Sequence, residues 1–394
     1  MTRLNDPFNA FLDYPQTTVS NAVSGPLAGL TLAVKDIFDV AGYKSGWGNP
    51  ARLAESQVAS RTNSATQRLL DSGAKFIGKT QTEELAFSMI GQNVHFPHPV
   101  NPAAPDRVTG GSSSGSAAAV AGGLADIATG SDTGGSIRCP ASFCGLIGLR
   151  TTHGAIPLDH TMELAHSFDT FGWFAKDLVT YRKVAQVLLT ASSPLTRPLC
   201  IPALDALVVP ECRSVYEKNA FQIMSVVGKP SPLPDPLYSL DDLYWTTRKL
   251  QAHEAWETRG AWIEAGDRRL GKATYDRFAF GKTIPDAEVK SETTRRDAFR
   301  QWLGDLLGND GFIIMPTVTD IAPLSSSSPE QFSTFREASI RLLCWSGLAG
   351  IPQLTLPLGA VNGAPFGISL LGPGGSDLAL LDLAETILHS AVKA

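Results

Sequence analysis

Hydroxyl side chains cluster at Ser112, Ser113 and Ser114. A further serine, Ser136, stands in the same glycine-dense stretch, which reads GGSSSGSAAAVAGGLADIATGSDTGGSIRCPASFCGLIGLRT over residues 110–151. Glycines at 110, 111, 115, 134 and 135 free the backbone for tight or left-handed turns. They also let a ligand come close to main-chain N–H groups, as an oxyanion site requires. Together these residues point to hydrolytic acyl transfer. The alternative is a flexible Gly/Ser linker, but linkers do not interleave apolar runs such as AAAVAGGLA and FCGLIGL.

A base for such a serine is offered by Lys35, alone in the apolar run LTLAVKDIFDV of residues 30–40. A lysine there is costly unless it is neutral or paired. With an ordinary pKa near ~10.4, deprotonating it at pH 7 costs about 4.6 kcal/mol, so it serves as a base only in a dry pocket. Val34, Ile37 and Phe38 could line that pocket. The alternative is a surface strand with Lys35 facing water beside Asp36.

Three short catalytic patterns fail on their context. Residues 73–80, GAKFIGKT, match a phosphate-binding loop, yet a helical pattern precedes Gly73 and the loop interior itself reads as a strand. GSSSG at 111–115 matches the GxSxG nucleophile elbow with Ser113 as nucleophile. The preceding NPAAPDRVT carries Pro102 and Pro105 and makes a poor central strand. Ser72–Lys75 matches SxxK across a helix end, without that pattern's companion motifs.

The whole chain narrows the field further. Its 394 residues, 43% hydrophobic, can bury one large core or two modest ones. A net charge of −5 without basic stripes argues against nucleic acid or an anionic membrane as partner. Small neutral or mildly polar substrates fit better. MTRLNDPFNAFLDYP at the N-terminus lacks the apolar segment of a signal peptide and no run is long enough to span a bilayer, so a cytoplasmic location is expected. The five cysteines form no CxxC pair and read as buried small hydrophobes. The histidines show no paired ligand spacing, and His95 and His98 lie among prolines. No metal and no cofactor is expected.

Helical and strand patterns alternate along the chain, predicting an α/β fold. Helices are expected at Thr62–Ser72, Glu83–Ile90, Ser113–Leu124, Asp177–Thr190 and Asp377–Val392. Strands are expected at Lys75–Gly78, Asp126–Gly130, Leu146–Arg150, Leu207–Pro210, Phe312–Met315, Gln353–Pro357 and Phe366–Leu371. Between them, residues 213–309 carry long charged helical patterns, including Leu240–Ala265 and Thr294–Leu307, and read as a helical insertion.

The long serine-rich stretch resembles the signature of the amidase signature family, and AVKDIFDVAG resembles that family's lysine motif. DSGAKFIGKTQTEELAFS, AHSFDTFGWFAKD and GFIIMPTVTDIAPL follow in family order, so the likeness covers nearly the whole chain. Within the family the chain is most similar to compact plant-type indole-3-acetamide amidohydrolases and their bacterial relatives.

The resemblance implies a mixed β-sheet sandwiched by helices, one domain over residues 1–394, with 213–309 as a variable helical region covering the site. It places the nucleophile on Ser136, a bridging serine held by a cis peptide on Ser112, and the base on Lys35. The oxyanion would be held by main-chain N–H groups of Thr133, Gly134, Gly135 and Ser136, with Ser113 and Asp132 in support. Gly is common in the family where Ser114 stands, and Thr where Ser131 stands. Arg138 is expected in a structural ion pair rather than on substrate, and Cys139 as packing.

For the acyl pocket the resemblance offers Phe87, Ser88 and Met89, with Thr161–Phe174 as a second wall. Phe168, Phe171, Trp173, Trp245 and Trp256 could supply aromatic surface, though each serves equally as core. The implied reaction is hydrolysis of a small aryl- or alkyl-substituted primary amide, such as indole-3-acetamide, to acid and ammonia. Other C–N substrates (an anilide, a urea derivative, a dicarboxylic acid monoamide), a transamidating subunit and a non-catalytic binding protein of the same fold remain as alternatives. Homodimers occur in the family.

Overall fold

The computed structural model describes residues 5–190 and 193–391. Its strands form two sheets. The first contains β1 (Thr31–Lys35), β2 (Lys75–Thr80), β3 (Ile127–Ser131) and, beyond β4 (Gly148–Arg150) in the chain, β5 (Phe171–Ala175). Their order is β2-β1-β3-β5, with β1 parallel to both neighbours and β5 antiparallel to β3. All five residues of β3 are buried, as a strand covered on both faces requires.

The second sheet takes β4, then β6 (Arg197–Cys200), β7 (Ser231–Pro232), β8 (Gly311–Pro316), β9 (Gln353–Val361) and β10 (Ala364–Leu371), in the order β4-β9-β10-β8-β6-β7. Strands β9 and β10 form a hairpin. Its turn residues Asn362 and Gly363 have φ of 50° and 84°, the left-handed pair that a two-residue hairpin turn needs.

Helices flank the sheets: α1 (Pro50–Glu55), α2 (Ser64–Asp71), α3 (Ser114–Ala121), α4 (Arg138–Cys144), α5 (Leu178–Leu188), α6 (Pro202–Asp205) and α7 (Pro210–Val227). Next come α8 (Leu240–Glu264), α9 (Lys272–Lys282), α10 (Asp286–Leu307), α11 (Pro329–Ala349) and α12 (Asp377–Ala391). The starts are written in the sequence. Asn63 accepts the Thr66 N–H to begin α2, and α8 and α11 open with capping boxes at Ser239/Asp242 and Ser328/Gln331.

The α/β reading with a mixed, helix-flanked sheet holds, but the strands divide into two sheets rather than one. The Tyr181 hydroxyl joins them: it accepts the Leu149 N–H of β4 at 2.8 Å and donates to the Trp173 carbonyl of β5 at 3.1 Å. Two expected elements are absent. Residues 83–90 form only a 3₁₀ turn at Glu84–Ala86, with left-handed φ at Leu85 and Ala86. Leu207–Pro210 is not a strand: Leu207–Val209 lie in the turn between α6 and α7, and Pro210 begins α7. The expected last residue of the final helix, Val392, lies outside the described residues, as do residues 1–4 of the N-terminal segment.

Candidate active site

Parallel pairing with β2 and β3 sets Lys35, the last residue of β1, deep in the first sheet. Its backbone N–H meets Thr129 Oγ1 at 3.0 Å. The side chain is wholly buried, so the surface-strand alternative is excluded. Lys35 Nζ lies 2.8 Å from Ser112 Oγ, 3.0 Å from Ser113 Oγ and 2.9 Å from Ser131 Oγ. All its hydrogen-bond partners among the described residues are hydroxyls. Burial lowers its pKa to about 7, against the more modest pull of Glu83, Asp132 and Asp169. Near neutrality it is therefore partly uncharged.

Ser112 follows a cis Gly111–Ser112 peptide bond. Its carbonyl accepts the Glu83 N–H at 3.1 Å and the Thr82 hydroxyl at 3.2 Å, and the Gly111 N–H meets the Met89 carbonyl at 3.0 Å. Ser113 caps the start of α3 in sequence and directs its hydroxyl to the Ser131 carbonyl at 3.3 Å.

Ser136 sits in the turn between β3 and α4, which Asp132 organises. Asp132 Oδ1 accepts the Gly135 N–H at 2.9 Å, and Oδ2 accepts those of Ile137 at 3.2 Å and Arg138 at 3.4 Å. Arg138 grips both oxygens at 2.9 and 2.8 Å, and Arg150 reaches Oδ1 at 3.1 Å. Burial alone would raise the pKa of this carboxyl; the two guanidinium groups hold it well below the usual range. Arg138 continues to the Leu343 carbonyl and to Ser346 Oγ of α11 at 2.9 and 2.7 Å, and to Gln353 Oε1 of β9 at 2.5 Å. Arg138 is thus engaged within the chain, and Asp132 ties the turn together.

One expected oxyanion donor is corrected: the Gly135 N–H is already engaged by Asp132. The N–H groups of Thr133, Gly134 and Ser136 make no hydrogen bond among the described residues. They remain available to a ligand oxygen. Thr133 also donates its hydroxyl to Asp169 at 2.6 Å, a carboxyl that burial raises to about 6.

Ser136 lines a small cavity of about 30 Å³, together with Thr133, Gly134, Phe87, Ser88 and Met89. Ala86, Thr133 and Leu164 are shared with a second cavity of about 190 Å³, whose wall includes Ile37, Ser131, Leu158 and Met162. Phe87, Ser88 and Met89 thus line the cavity at Ser136, and residues within Thr161–Thr170 line the second one.

Phe171 does not face either cavity. It is buried in β5 with its ring 5.0 Å from that of Phe38, because full burial of the strand turns it into the core. Trp173 stacks on Tyr181 and Phe168 lies beneath the Arg296 guanidinium, while Trp245 is exposed and Trp256 packs under Lys282. Cys139 is buried with its thiol pKa raised by burial, and serves as packing. Lys79 of the apparent phosphate loop is buried 3.3 Å from Asp36.

Several site residues were missed by sequence reasoning. Ser131 and Thr129 sit two apart on β3, and the period of a strand puts both on the face toward Lys35. The shared face was legible in the sequence; its pairing with β1 was not. Arg248, Gln251 and Arg336, from α8 and α11, also line the Ser136 cavity, and no local pattern marks them.

The sequence profile of the amidase family matches residues 13–215. The chain is 34% identical over 418 residues to Amidase 1 of Arabidopsis thaliana, covering 97% of this chain and 98% of that one. It is 30% identical to the chloroplastic Outer envelope protein 64 of the same plant, covering 98% of this chain and 72% of that one. A solved structure described as an amidase superposes with a TM-score of 0.83 at 26% identity, over 93% of this chain and 85% of its own. Among the described residues no helix is long and apolar enough to cross a membrane.

Proposed function

The chain belongs to the amidase family, hydrolases of amide C–N bonds, and on that footing we propose that it cleaves a small aryl- or alkyl-substituted primary amide to a carboxylic acid and ammonia through a Ser136 acyl-enzyme. The observation that carries the mechanism is the Lys35 environment, a buried amine with a pKa near 7 and three hydroxyl partners. A neutral amine has two N–H donors and one lone pair. Ser113 already directs its proton to the Ser131 carbonyl, so it accepts from Lys35. Ser112 is then the hydroxyl placed to donate to the lone pair.

Neutral Lys35 takes the Ser112 proton, Ser112 takes that of Ser136, and Ser136 Oγ bonds to the amide carbon as the carbonyl π pair moves onto oxygen. The free N–H groups of Thr133, Gly134 and Ser136 receive that oxyanion. As the C–N bond breaks, the proton returns through Ser112 to the nitrogen, which leaves as ammonia. Water then adds to the acyl-enzyme by the same relay in reverse, releasing the acid. Helices α8 to α10, with Gln251 already at the cavity, form the cover over this site.

Ammonia release from indole-3-acetamide, phenylacetamide, benzamide and malonamate, by wild type and Ser136→Ala, tests the reading. Ser136→Ala should lose at least about a thousandfold in kcat. Equal rates in the two proteins would overturn it, as would a silent panel combined with failure of a fluorophosphonate to label Ser136.

A further inference from the structure

The cavity at Ser136 is lined by arginines that form no ion pair with a carboxylate among the described residues. Arg336 of α11 lines it, is 8% exposed, and its side chain makes no hydrogen bond or ion pair with any described residue. Gln251 of α8, 6% exposed, lines the same space, and its Nε2 has no acceptor. Arg248, three residues earlier on α8, lines it too and gives its hydrogen bond to the Tyr244 hydroxyl at 2.9 Å. Arg277 of α9 stands behind Phe87, donating to its carbonyl at 2.9 Å.

Glu83 is the carboxylate whose charge reaches both Arg277 and Arg336. It accepts the Gln92 N–H at 3.3 Å rather than an arginine, and burial raises its pKa, which weakens it as a counter-ion. Asp276 and Glu84 attract Arg277, and Tyr244 is an electrostatic neighbour of Arg336. Burial and the neighbouring Arg277 and Arg248 disfavour the charged form of Arg336 and push its pKa well down.

Buried cations and orphaned amide donors at a cavity wall are costly unless a ligand completes them. A guanidinium matches a carboxylate with two parallel N–H bonds. We infer that the substrate carries a carboxylate, seated on Arg336 and Gln251 with Arg248 beside them, and that the amide presented to Ser136 is a short dicarboxylic acid monoamide. The inference rests on Ser136 as the reacting group and names the substrate class of that site. The acyl chain is short because the charged wall and Ser136 bound the same small cavity.

The test compares kcat/KM for malonamate and succinamate with that for uncharged amides of matching size, methyl malonamate and butyramide, in wild type, Arg336→Gln and Arg336→Lys. A second series with Arg248→Gln guards against misfolding of the first. Wild type should favour the anionic amides at least about tenfold, and Arg336→Gln should bring that ratio close to one, acting through KM. Arg336→Lys should recover part of it.

Calorimetric binding of succinate to Ser136→Ala should weaken at least about tenfold when Arg336→Gln is added. An unchanged ratio in both arginine series, or a wild type that prefers uncharged amides, overturns the inference. Ser136-dependent cleavage of uncharged amides alone would do so while leaving the amidase reading intact. Arg336-dependent succinate binding without Ser136-dependent turnover would have the opposite meaning, retaining the anion subsite and removing Ser136 from the chemistry.

Discussion

Lys35 can act as a base only after losing its proton, and burial rather than a neighbouring cation brings that loss near neutrality. Because burial disfavours the charged form, the active fraction grows as pH rises. We therefore expect kcat/KM to climb through about pH 7 and then level. Asp169, raised to about 6 by burial and holding the Thr133 hydroxyl, gains its proton lower in the same descent and should steepen the acid limb. In Lys35→Met the limb near 7 should vanish and the rate fall about 10²- to 10⁴-fold, which a pH–rate profile of both proteins checks. Lys35 was legible as a lone cation in an apolar run. Ser131 was noted as a hydroxyl where Thr is common, and strand period could place it on one face with Thr129, but that this face meets Lys35 Nζ needed the register of β1 on β3. Arg336 was not legible at all, since its meaning arises where α11 meets α8 across the cavity.

At the scale of elements, the turn from β3 to α4 does the shaping. Gly135 holds φ at +123°, and a Cβ built there lies 2.6 Å from Leu343 Cδ1. Gly135→Ala should cost about 1–3 kcal/mol of stability. By tilting the neighbouring N–H groups it should also lower kcat by about 10²- to 10³-fold, as urea unfolding and single-turnover rates would show. Elements with clear periodicity were readable: α2, α5 and α8 lie close to their expected spans, and strands β9 and β10 contain theirs, though their pairing as a hairpin was not foreseen. Residues 83–90 were not. Their composition favours helix, but Glu83 and Leu85 give their N–H groups to the Ser112 and Trp47 carbonyls instead, so tertiary partners override local preference. Helix α11 escaped notice despite its capping box. Every residue from Leu342 to Ala349 is buried, which erases the polar face that marks an amphipathic helix.

For the whole molecule, the Tyr181 phenol is one of the links between the two sheets, beside those of Arg150 and Thr151. Tyr181→Phe would strand the buried Leu149 N–H and Trp173 carbonyl, at an expected cost of about 2–3 kcal/mol. That should appear as a lower urea midpoint with an unchanged slope. Nothing in the sequence announces a second sheet, because strand patterns carry no information on which edges pair. The Asp132–Arg138 network also spans the molecule, from the end of the first sheet to α11 and to β9 of the second. An order of failure is thereby imposed. The turn bearing Ser136 cannot melt ahead of the scaffold that grips it from both sides, so warming would keep the catalyst intact up to the temperature at which the entire chain gives way.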